Sequence, residues 1–600
     1  MKKSTTKRKG SIALPTFTQV ANVWFWYCLL VNTFLTALLL VKVVGGGGGQ
    51  NLAELLWLWL IKSFAINFAA IFVCFYGLEC LGCFWAAGAR VARFIEAMLA
   101  FCCFVGGCVD VFLLWSFHSW LNNTFFTIFL STNPLEAREF LSVYGTRLSL
   151  WAALGMFVGL SGVFVYSSLH SKCCNLSLLL CRVVSLVVMV ACSALLAFKL
   201  MPNPSPLSYM ADKNMLVRYI DVVTQTLAQN NAYINEYKHI SHIIESGTSA
   251  NIIENFSTLP NVVLILGEST QRNYMSLYGY KIDSTPALRA LAKRGNLVVF
   301  DDVISPHSHT DLSLQKVLTF SNYENASTPW YMQQNLLDIL NSAGYETYWL
   351  SNQEAISIYG NAPEIISRRA KHTRFSTLND SFASGRIYDS VLLRLIDEAR
   401  KQPSSKNFYI IHLMGTHINY KDRYPSSFAH FNKHSLIQND LHTYPSNPAQ
   451  ALSQAALEIK AHYLNAIAYN DHIVSEIIDK FAAVDSVVIY LSDHGDEVFD
   501  FRDFVGHTES IGSRFMVEIP FMIYMSDTFK RKHKQLVEQI MQARHLPFMT
   551  DDLIHTLLDL LGIVSVDSLK SRALFHPSYN AKRPRIYNGQ DYDKTLRPIK

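Results

Sequence analysis

Residues 261–270 read NVVLILGEST, and this stretch decides the fold of the C-terminal part of the chain. Apolar, mostly branched residues run from Val262 to Leu266 and stop at Gly267, which is the pattern of a strand buried on both faces of a sheet. The carboxylate of Glu268 and two hydroxyls follow directly. At this point the pattern allows two interpretations: a nucleophilic hydroxyl, or a carboxylate that acts as a base or a metal ligand.

Further apolar runs repeat this pattern towards the C-terminus, at 297–303, 346–352, 407–414, 486–493 and 520–526. Helical patterns lie between them, at 285–294, 310–320, 388–401, 451–482 and 550–562. Apolar strands that alternate with helices predict an α/β fold, in which helices cover both faces of a mostly parallel sheet. Because such folds bind ligands beyond the carboxyl ends of the strands, we expect the chemistry at that edge.

The first 200 residues differ in composition, because long uncharged apolar runs crowd this part of the chain. Crossing a bilayer takes roughly 20 apolar residues, and the runs that are long enough lie near 19–41, 53–77, 94–117, 149–168 and 176–198. The sequence therefore predicts a domain of five transmembrane helices (1–200) with an interfacial loop (118–146), a linker with amphipathic helices (201–254), and a catalytic domain (255–600).

Basic residues determine the predicted orientation. The cations before the first apolar run are Lys2, Lys3, Lys7, Arg8 and Lys9, whereas the loop at 45–51 carries no charge. Positive charge favours the cytoplasmic side, so we expect a multi-pass protein of a bacterial inner membrane, with a cytoplasmic N-terminus and a periplasmic catalytic domain. The first run lacks a small-residue cleavage site, which argues against a removed signal peptide.

Two acidic residues, Glu96 and Asp110, fall inside the third apolar run. Charge in a bilayer is costly, which suggests a function for both residues. The alternative is that each lies near an interface and extends its side chain to water. We favour this alternative for Glu96, and both interpretations stay open for Asp110.

The placement of the cysteines and the net charge argue against a disulfide-bonded exported domain and against a nucleic-acid-binding protein. All eleven cysteines lie between Cys28 and Cys192, so the exported part is predicted to contain no disulfide, although exported domains often do. The net charge of +5 is modest and no basic stripe with interleaved aromatics is present, which argues against nucleic-acid binding.

Carboxylates and imidazoles gather where the predicted strands end. The residues at or shortly after these ends are Glu268, His412, His417, Asp493, His494 and His507. A mixed set of nitrogen and oxygen ligands at one edge of a sheet suits zinc or manganese. A helix cap or an interior histidine would explain any one of these residues, but it does not explain the whole group.

A second motif, SPHSHT at 305–310, follows a strand and opens a helical pattern at Thr310. The N-terminus of a helix offers free N–H groups to an anion and can help to activate a hydroxyl that lies beside a metal. An ordinary N-cap explains a threonine at a helix start as well. Position alone favours the cap.

The motifs GEST (267–270), SPHSHT (305–310), MGTH (414–417), SDHGDE (492–497) and GH (506–507) occur in this order. They resemble the motifs of the membrane-bound phosphoethanolamine transferases, a branch of the alkaline phosphatase/sulfatase superfamily, and the resemblance covers nearly the whole chain. It implies an alkaline phosphatase-like catalytic domain behind a membrane domain of five helices.

The resemblance implies roles for single residues. The implied ligands of a catalytic zinc ion, with Mn²⁺ as the less favoured metal, are Glu268, Thr310, Asp493 and His494. Thr310 would be the nucleophile that is transiently phosphorylated. His417 and His507 would lie beside the phosphoryl group, as cationic imidazoles that offset its charge, and one of them would protonate the leaving group.

Four further residues are expected to contact substrate. Thr132 and Glu136 match loosely the outer loop that contributes to the lipid-donor pocket of this family. His307 and His309 are expected as additional substrate contacts.

The implied reaction transfers phosphoethanolamine from phosphatidylethanolamine to lipopolysaccharide core, lipid A or another envelope glycan. Diacylglycerol would leave in the first step. Several departures favour the branch that modifies lipopolysaccharide core or glycans over the lipid A branch. The exported part has no cysteine, the nucleophile follows PHSH instead of Cys-Gly, and the segment LSNQEAISIYGN (350–361) lacks a lysine expected in the donor pocket.

Three alternatives were weighed against this function. A sulfatase would need a C/S-x-P-x-R sequence, and the residues after Thr310 read DLSLQ. A phosphoglycerol transferase that acts on a glycan or teichoic acid-type polymer would share the spans, the threonine and a metal, often manganese. A non-enzymatic scaffold would have lost metal ligands that this chain retains.

Overall fold

The computed structural model of the chain describes residues 14–44, 50–83, 88–117, 119–131, 137–138, 145, 148–169, 178–200, 206–211, 213–228, 251–353, 362–376, 387–445 and 447–597. The chain divides into two compact units. Nearly all of the described helices before residue 230 belong to the first, and the residues from 251 onwards belong to the second.

The first unit is helical. Its helices are α1 (Phe17–Val20), α2 (Val23–Val44), α3 (Gln50–Cys83), α4 (Gly88–Phe117), α5 (Asn123–Ser131), α6 (Leu148–Leu169), α7 (Leu178–Leu200), α8 (Pro206–Ala211) and α9 (215–228). Among the described residues, two segments are long and apolar enough to cross a membrane, Trp59–Gly82 and Gly88–Phe117. Shorter apolar stretches occur in α2, α6 and α7. Five spans therefore stay a prediction.

Both acidic residues of α4 are buried inside this unit. Asp110 pairs with Arg218 of α9 and accepts a hydrogen bond of 3.1 Å from the backbone N–H of Leu121. Glu96 accepts a hydrogen bond of 2.7 Å from Asn22 Nδ2. The interpretation of Glu96 as a side chain that extends to water is wrong, because burial forces it to find a protein donor instead. Asp110 fastens α9 to α4.

The second unit is built on a seven-stranded sheet in the order β3-β13-β10-β2-β7-β5-β6. These strands are β2 (Asn261–Gly267), β3 (Leu297–Phe300), β5 (Glu346–Ser351), β6 (His372–Phe375), β7 (Asn407–His412), β10 (Ser486–Ser492) and β13 (Phe521–Met525). Only β13 runs antiparallel to its two neighbours. The predicted mostly parallel sheet is confirmed.

Short strands complete the unit: β1 (Ile252–Asn255), β4 (Val303–Ile304), β8 (Thr443–Tyr444), β9 (Asn447–Ala451), β11 (Glu497–Val498), β12 (Val505–Gly506), β14 (Phe548–Met549), β15 (Ile563–Ser565), β16 (Ile586–Tyr587) and β17 (Gln590–Asp591). The predicted strand 297–303 is divided between β3 and β4, because the exposed Asp301 and its neighbour Asp302 interrupt it. Strand β6 was not predicted, since its residues, HTRF, are half-exposed and show no apolar run.

The helices of this unit are α10 (Pro286–Lys293), α11 (Thr310–Val317), α12 (Leu336–Ser342), α13 (Ala362–Ser367), α14 (Val391–Ala399), α15 (Lys433–Gln438), α16 (Gln454–Phe481), α17 (Asp527–Lys532), α18 (Lys534–Ala543) and α19 (Leu553–Leu561). They form two hydrophobic cores on opposite faces of the sheet. Val262, Leu264 and Leu266 belong to one core, and Val263 and Ile265 belong to the other. Burial on both faces explains why β2 reads as an unbroken apolar run.

Candidate active site

The register between β2 and β10 brings the first two candidate ligands together. These strands are parallel neighbours, and Gly267 pairs with Ser492. The next residue of each strand, Glu268 and Asp493, therefore leaves the sheet at the same level. Both side chains are almost completely buried. The edge at the carboxyl ends of the strands is thus where the site lies, as the fold predicts.

Neighbouring residues hold the Glu268 carboxylate in place. Ser269 adopts a left-handed backbone conformation (φ 58°), and its Oγ donates to Glu268 Oε1 at 2.9 Å. Gln353 Nε2 donates to Glu268 Oε2 at 3.1 Å. Gly415 passes directly over the Glu268 backbone, whose O and N atoms would lie 2.8 and 2.9 Å from any Cβ at that position. Ser269 therefore orients the carboxylate and is not the nucleophile.

Thr310 lies beside the candidate metal ligands Glu268, Asp493 and His494, which form the ligand group. Its Oγ1 is 3.2 and 3.1 Å from the two carboxylate oxygens of Glu268 and 3.3 Å from His494 Nε2. His494 Nε2 is in turn 3.3 Å from Glu268 Oε1 and 3.5 Å from Asp493 Oδ2. His309 occupies the N-cap position of α11, so the interpretation of Thr310 as an ordinary cap is wrong. The Thr310 hydroxyl is directed to the ligand group.

The charges of this group leave room for a cation. Burial and the charge of Glu268 raise the pKa of Asp493 to about 8. Burial lowers the pKa of His494, but the nearby carboxylates outweigh it and raise that pKa to about 10. Asp493 Oδ2 is buried and accepts no hydrogen bond from any described residue. A buried carboxylate oxygen without a hydrogen bond, beside an imidazole and a second carboxylate, fits a divalent metal ion.

His417 and His309 lie near the ligand group as neutral rings. Burial lowers the pKa of His417 to about 4 and that of His309 to about 3. The Nδ1 atom of each ring is buried and has no hydrogen-bond partner among the described residues. The expectation of a cationic imidazole at His417 is therefore wrong, because desolvation disfavours the charged form. A neutral ring can still donate a hydrogen bond.

His507 takes part in a side-chain hydrogen-bond network with Asp496 and Tyr420, which was not predicted from the sequence. Its Nδ1 lies 2.7 Å from Asp496 Oδ1, and the Tyr420 hydroxyl donates to Asp496 Oδ2 at 2.7 Å. A carboxylate on Nδ1 fixes the tautomer and leaves Nε2 free. The ring centroids of His507 and His494 are 4.1 Å apart, so this hydrogen-bond network reaches the ligand group. The second acid of SDHGDE was the available signal for Asp496.

Two other histidines named from the sequence, His307 and His412, have different surroundings. His307 Nδ1 lies 3.2 Å from Glu509 Oε1, and Glu509 was also missed, although it is the acid of the motif VGHTES (505–510). His412, at the end of β7, is an interior histidine: it is fully buried, and its ring lies beside Trp349 of β5. Thr132 and Glu136 lie outside the described residues.

Comparison with known proteins identifies the family. The sulfatase family profile matches residues 260–563, slightly more than half of the chain. The chain belongs to the sulfatase family. The match contains every candidate ligand named above, since it runs from β2 to β15.

Curated relatives of this sulfatase-family chain carry a more specific name. It is 33% identical to phosphoethanolamine transferase EptC of Escherichia coli (strain K12) over 338 residues, which are 56% of each chain. It is 32% identical to phosphoethanolamine transferase CptA of Salmonella typhimurium over 339 residues, again 56% of each chain. The chain spans little more than half the length of these relatives.

One solved structure is similar to a little more than half of this chain, and another is similar to nearly the whole chain. The C-terminal periplasmic domain of E. coli EptC in complex with zinc has 32% sequence identity and a TM-score of 0.51, covering 58% of this chain and 94% of that one. The integral membrane lipooligosaccharide phosphoethanolamine transferase A of Neisseria meningitidis has 20% identity and a TM-score of 0.60, covering 94% and 98%. The second likeness extends the shared fold to the helical unit.

Gly415→Ala should disturb the ligand group. Gly415 has φ +52°, where an L side chain costs about 1–2 kcal/mol, and its Cβ would also clash with the Glu268 backbone. We expect a lower melting temperature and loss of bound metal, measured by thermal unfolding and elemental analysis. Gly279→Ala is the matched control, because Gly279 also has a positive φ (+95°) but no atom within 4 Å of a Cβ. Equal metal content in both variants would contradict the role of Gly415.

The metal-free protein should lose stability as the pH rises. The folded-state pKa of Asp493, about 8, lies above its unfolded value of about 3.9. Stability from this bound proton is complete below the unfolded pKa and is lost as the pH rises through the folded one. His494, with a folded pKa of about 10 against about 6.5 unfolded, extends the loss to higher pH.

Asp493→Asn should flatten this pH dependence, because Asn keeps the oxygen that accepts from the Ser269 and His494 backbone N–H groups and removes the charge. The measurement is the melting temperature in chelator between about pH 4 and 8, the range between the unfolded and folded pKa values of Asp493. The metal-loaded wild type serves as the control and should show little slope. An unchanged slope in the Asn variant would mean that Asp493 is not the titrating group.

Proposed function

We propose that the chain is a phosphoethanolamine transferase of the bacterial inner membrane, which transfers phosphoethanolamine from phosphatidylethanolamine to an envelope acceptor, either lipopolysaccharide core, lipid A or another glycan. The observation that carries this proposal is the Thr310 hydroxyl, 3.1–3.3 Å from both Glu268 oxygens and His494 Nε2. The 32–33% identity to EptC and CptA over the same unit supports it.

A zinc ion would be held by Glu268, Asp493, His494 and the Thr310 hydroxyl. The zinc complex of the EptC periplasmic domain supports zinc over manganese. When bound, zinc lowers the pKa of a nearby hydroxyl and offsets negative charge on phosphoryl oxygens. Because Asp493 holds a proton below about pH 8 without metal, binding of the cation displaces that proton.

The chain's own residues would carry out two in-line displacements. Thr310 Oγ1, which has released its proton to solvent and remains an alkoxide between turnovers, attacks the phosphorus of the donor, and the bond from phosphorus to the diacylglycerol oxygen breaks. His507 Nε2 gives a proton to that oxygen, while Asp496 on Nδ1 keeps the ring oriented. An acceptor oxygen then attacks the phosphoethanolamine-threonine, His507 takes its proton, and Thr310 leaves.

His417 would bind the phosphoryl group by hydrogen bonding and not by charge. Its pKa of about 4 keeps the ring neutral near pH 7, so one ring N–H can donate to an equatorial oxygen. The proton transfers are therefore assigned to His507.

The helical unit would anchor the protein in the membrane that contains the lipid donor. We propose five spans, α2, α3, α4, α6 and α7, of which Trp59–Gly82 in α3 and Gly88–Phe117 in α4 meet the length and composition of a span. The solved EptC domain is described as periplasmic, which supports the same side for this unit. A lipid donor explains why a phosphotransferase would have a membrane part.

Thr310→Ala should abolish transfer, because no other hydroxyl of the described residues contacts both Glu268 and His494. We expect at least a thousandfold loss of phosphoethanolamine addition, a magnitude typical when a catalytic nucleophile is removed. Mass spectrometry of lipid A and core oligosaccharide from cells that express each variant measures this loss. In purified protein, a phosphoethanolamine adduct should appear on Thr310.

Thr310→Ser is the matched control for this experiment. It keeps the hydroxyl, so it should retain part of the activity and carry the adduct on the same residue. Full activity in Thr310→Ala, with the protein folded and in the membrane, would refute the assignment.

A further inference from the structure

Glu509 holds the loop that precedes the nucleophile by one of its two oxygens. Oε1 accepts hydrogen bonds from His307 Nδ1 at 3.2 Å, from the Ser308 backbone N–H at 2.8 Å and from Ser308 Oγ at 3.4 Å. Oε2 accepts a hydrogen bond from no described residue. The side chain is 13% exposed, which leaves part of it accessible to a ligand.

The other acidic side chains of the motif segments 267–270, 305–311, 492–500 and 505–511 are already occupied. Glu268 and Asp493 belong to the metal group. The carboxylates whose two oxygens both accept hydrogen bonds from protein groups are Asp311, Asp496, Glu497 and Asp500. Within these segments, Glu509 is therefore the anion left for a cationic substrate group.

Glu509 is connected to the segment that carries Thr310 and to the segment that carries His507. It follows His507 by two residues, and its Oε1 binds Ser308, two residues before Thr310. The His309 ring between them lies 6.3 Å from the His507 ring, centroid to centroid, and it interacts electrostatically with both Glu509 and Glu268. The two-carbon arm of ethanolamine is short, so its ammonium group must bind close to the phosphorus.

We propose that Glu509 Oε2 binds the ammonium group of the transferred phosphoethanolamine, an inference that rests on the proposed function. The three donors on Oε1 fix the carboxylate before substrate arrives, so little conformational freedom is lost on binding. A hydrogen bond between two charged groups in a partly desolvated site is stronger than one between neutral groups. Glu509 thereby selects donors with a cationic headgroup.

The test compares two donor lipids that differ only in the amine. The full-length protein with zinc is supplied with phosphatidylethanolamine or phosphatidylethanol in mixed micelles. Diacylglycerol release and the mass of the adduct on Thr310 report the first half-reaction without an acceptor. The wild type should prefer phosphatidylethanolamine by about 10- to 100-fold, the range for a hydrogen bond to a charged group.

Glu509→Gln should remove most of this preference. It lowers the rate with phosphatidylethanolamine more than the rate with phosphatidylethanol, because the charge contact with the ammonium group is lost in addition to any change in the loop contacts of Oε1. Ser308→Ala is the control for a positioning effect. It weakens the contact between the loop and Oε1 but keeps the carboxylate, so the two donor rates should fall together and the preference should persist.

Each outcome decides one of the two proposals. A wild type that prefers phosphatidylethanolamine, together with a Glu509→Gln variant of equal preference, overturns the role of Glu509 and leaves the proposed function intact. A wild type that forms no adduct on Thr310 from either donor overturns the proposed function itself.

Glu509→Asp carries the test if the Gln variant does not fold. It keeps the charge but withdraws it by one methylene, so a loss confined to phosphatidylethanolamine supports the inference. An equal loss with both donors contradicts it.

Discussion

Strands β2 and β10 end at the same level of the sheet, and this brings two carboxylates, Glu268 and Asp493, together in a place that excludes water. Two buried like charges repel strongly, and an isolated buried carboxylate is costly even alone. The surrounding residues reduce this cost without removing it. Backbone N–H groups and the Ser269 hydroxyl bind some of the oxygens, and His494 supplies one positive charge. Without metal, Asp493 keeps a proton up to about pH 8, so ionisation of both carboxylates near neutral pH depends on a bound cation.

The same constraint explains the position of Thr310, the proposed nucleophile. The Thr310 hydroxyl reaches the ligand group because α11 begins at its edge, and the loop before α11 is held by Glu509. The ring of His507 is held by Asp496. Two carboxylates outside the ligand group thus orient the loop before Thr310 and the His507 ring. This division fits the requirement that a catalytic group be positioned before the substrate binds.

The sheet and its ligands were predictable from sequence because their signals are local. An unbroken apolar run predicts β2, and the acid after it must leave at the sheet edge. Asp496 and Glu509 were missed because their roles depend on contacts between segments far apart in the chain, and nothing local distinguishes them from other acids. His412 and His417 show the same limit. They are only five positions apart, yet one belongs to the core and the other lies near the ligand group.

The position of the cysteines has a consequence for how the catalytic unit folds. No cysteine follows Cys192, so the residues from 251 onwards fold without thiol oxidation. The unit instead relies on two large hydrophobic cores, one on each face of its sheet. Its folding is therefore independent of oxidoreductases and of the redox poise of its compartment. A strong reductant that unfolds disulfide-bonded exported proteins should leave this unit intact.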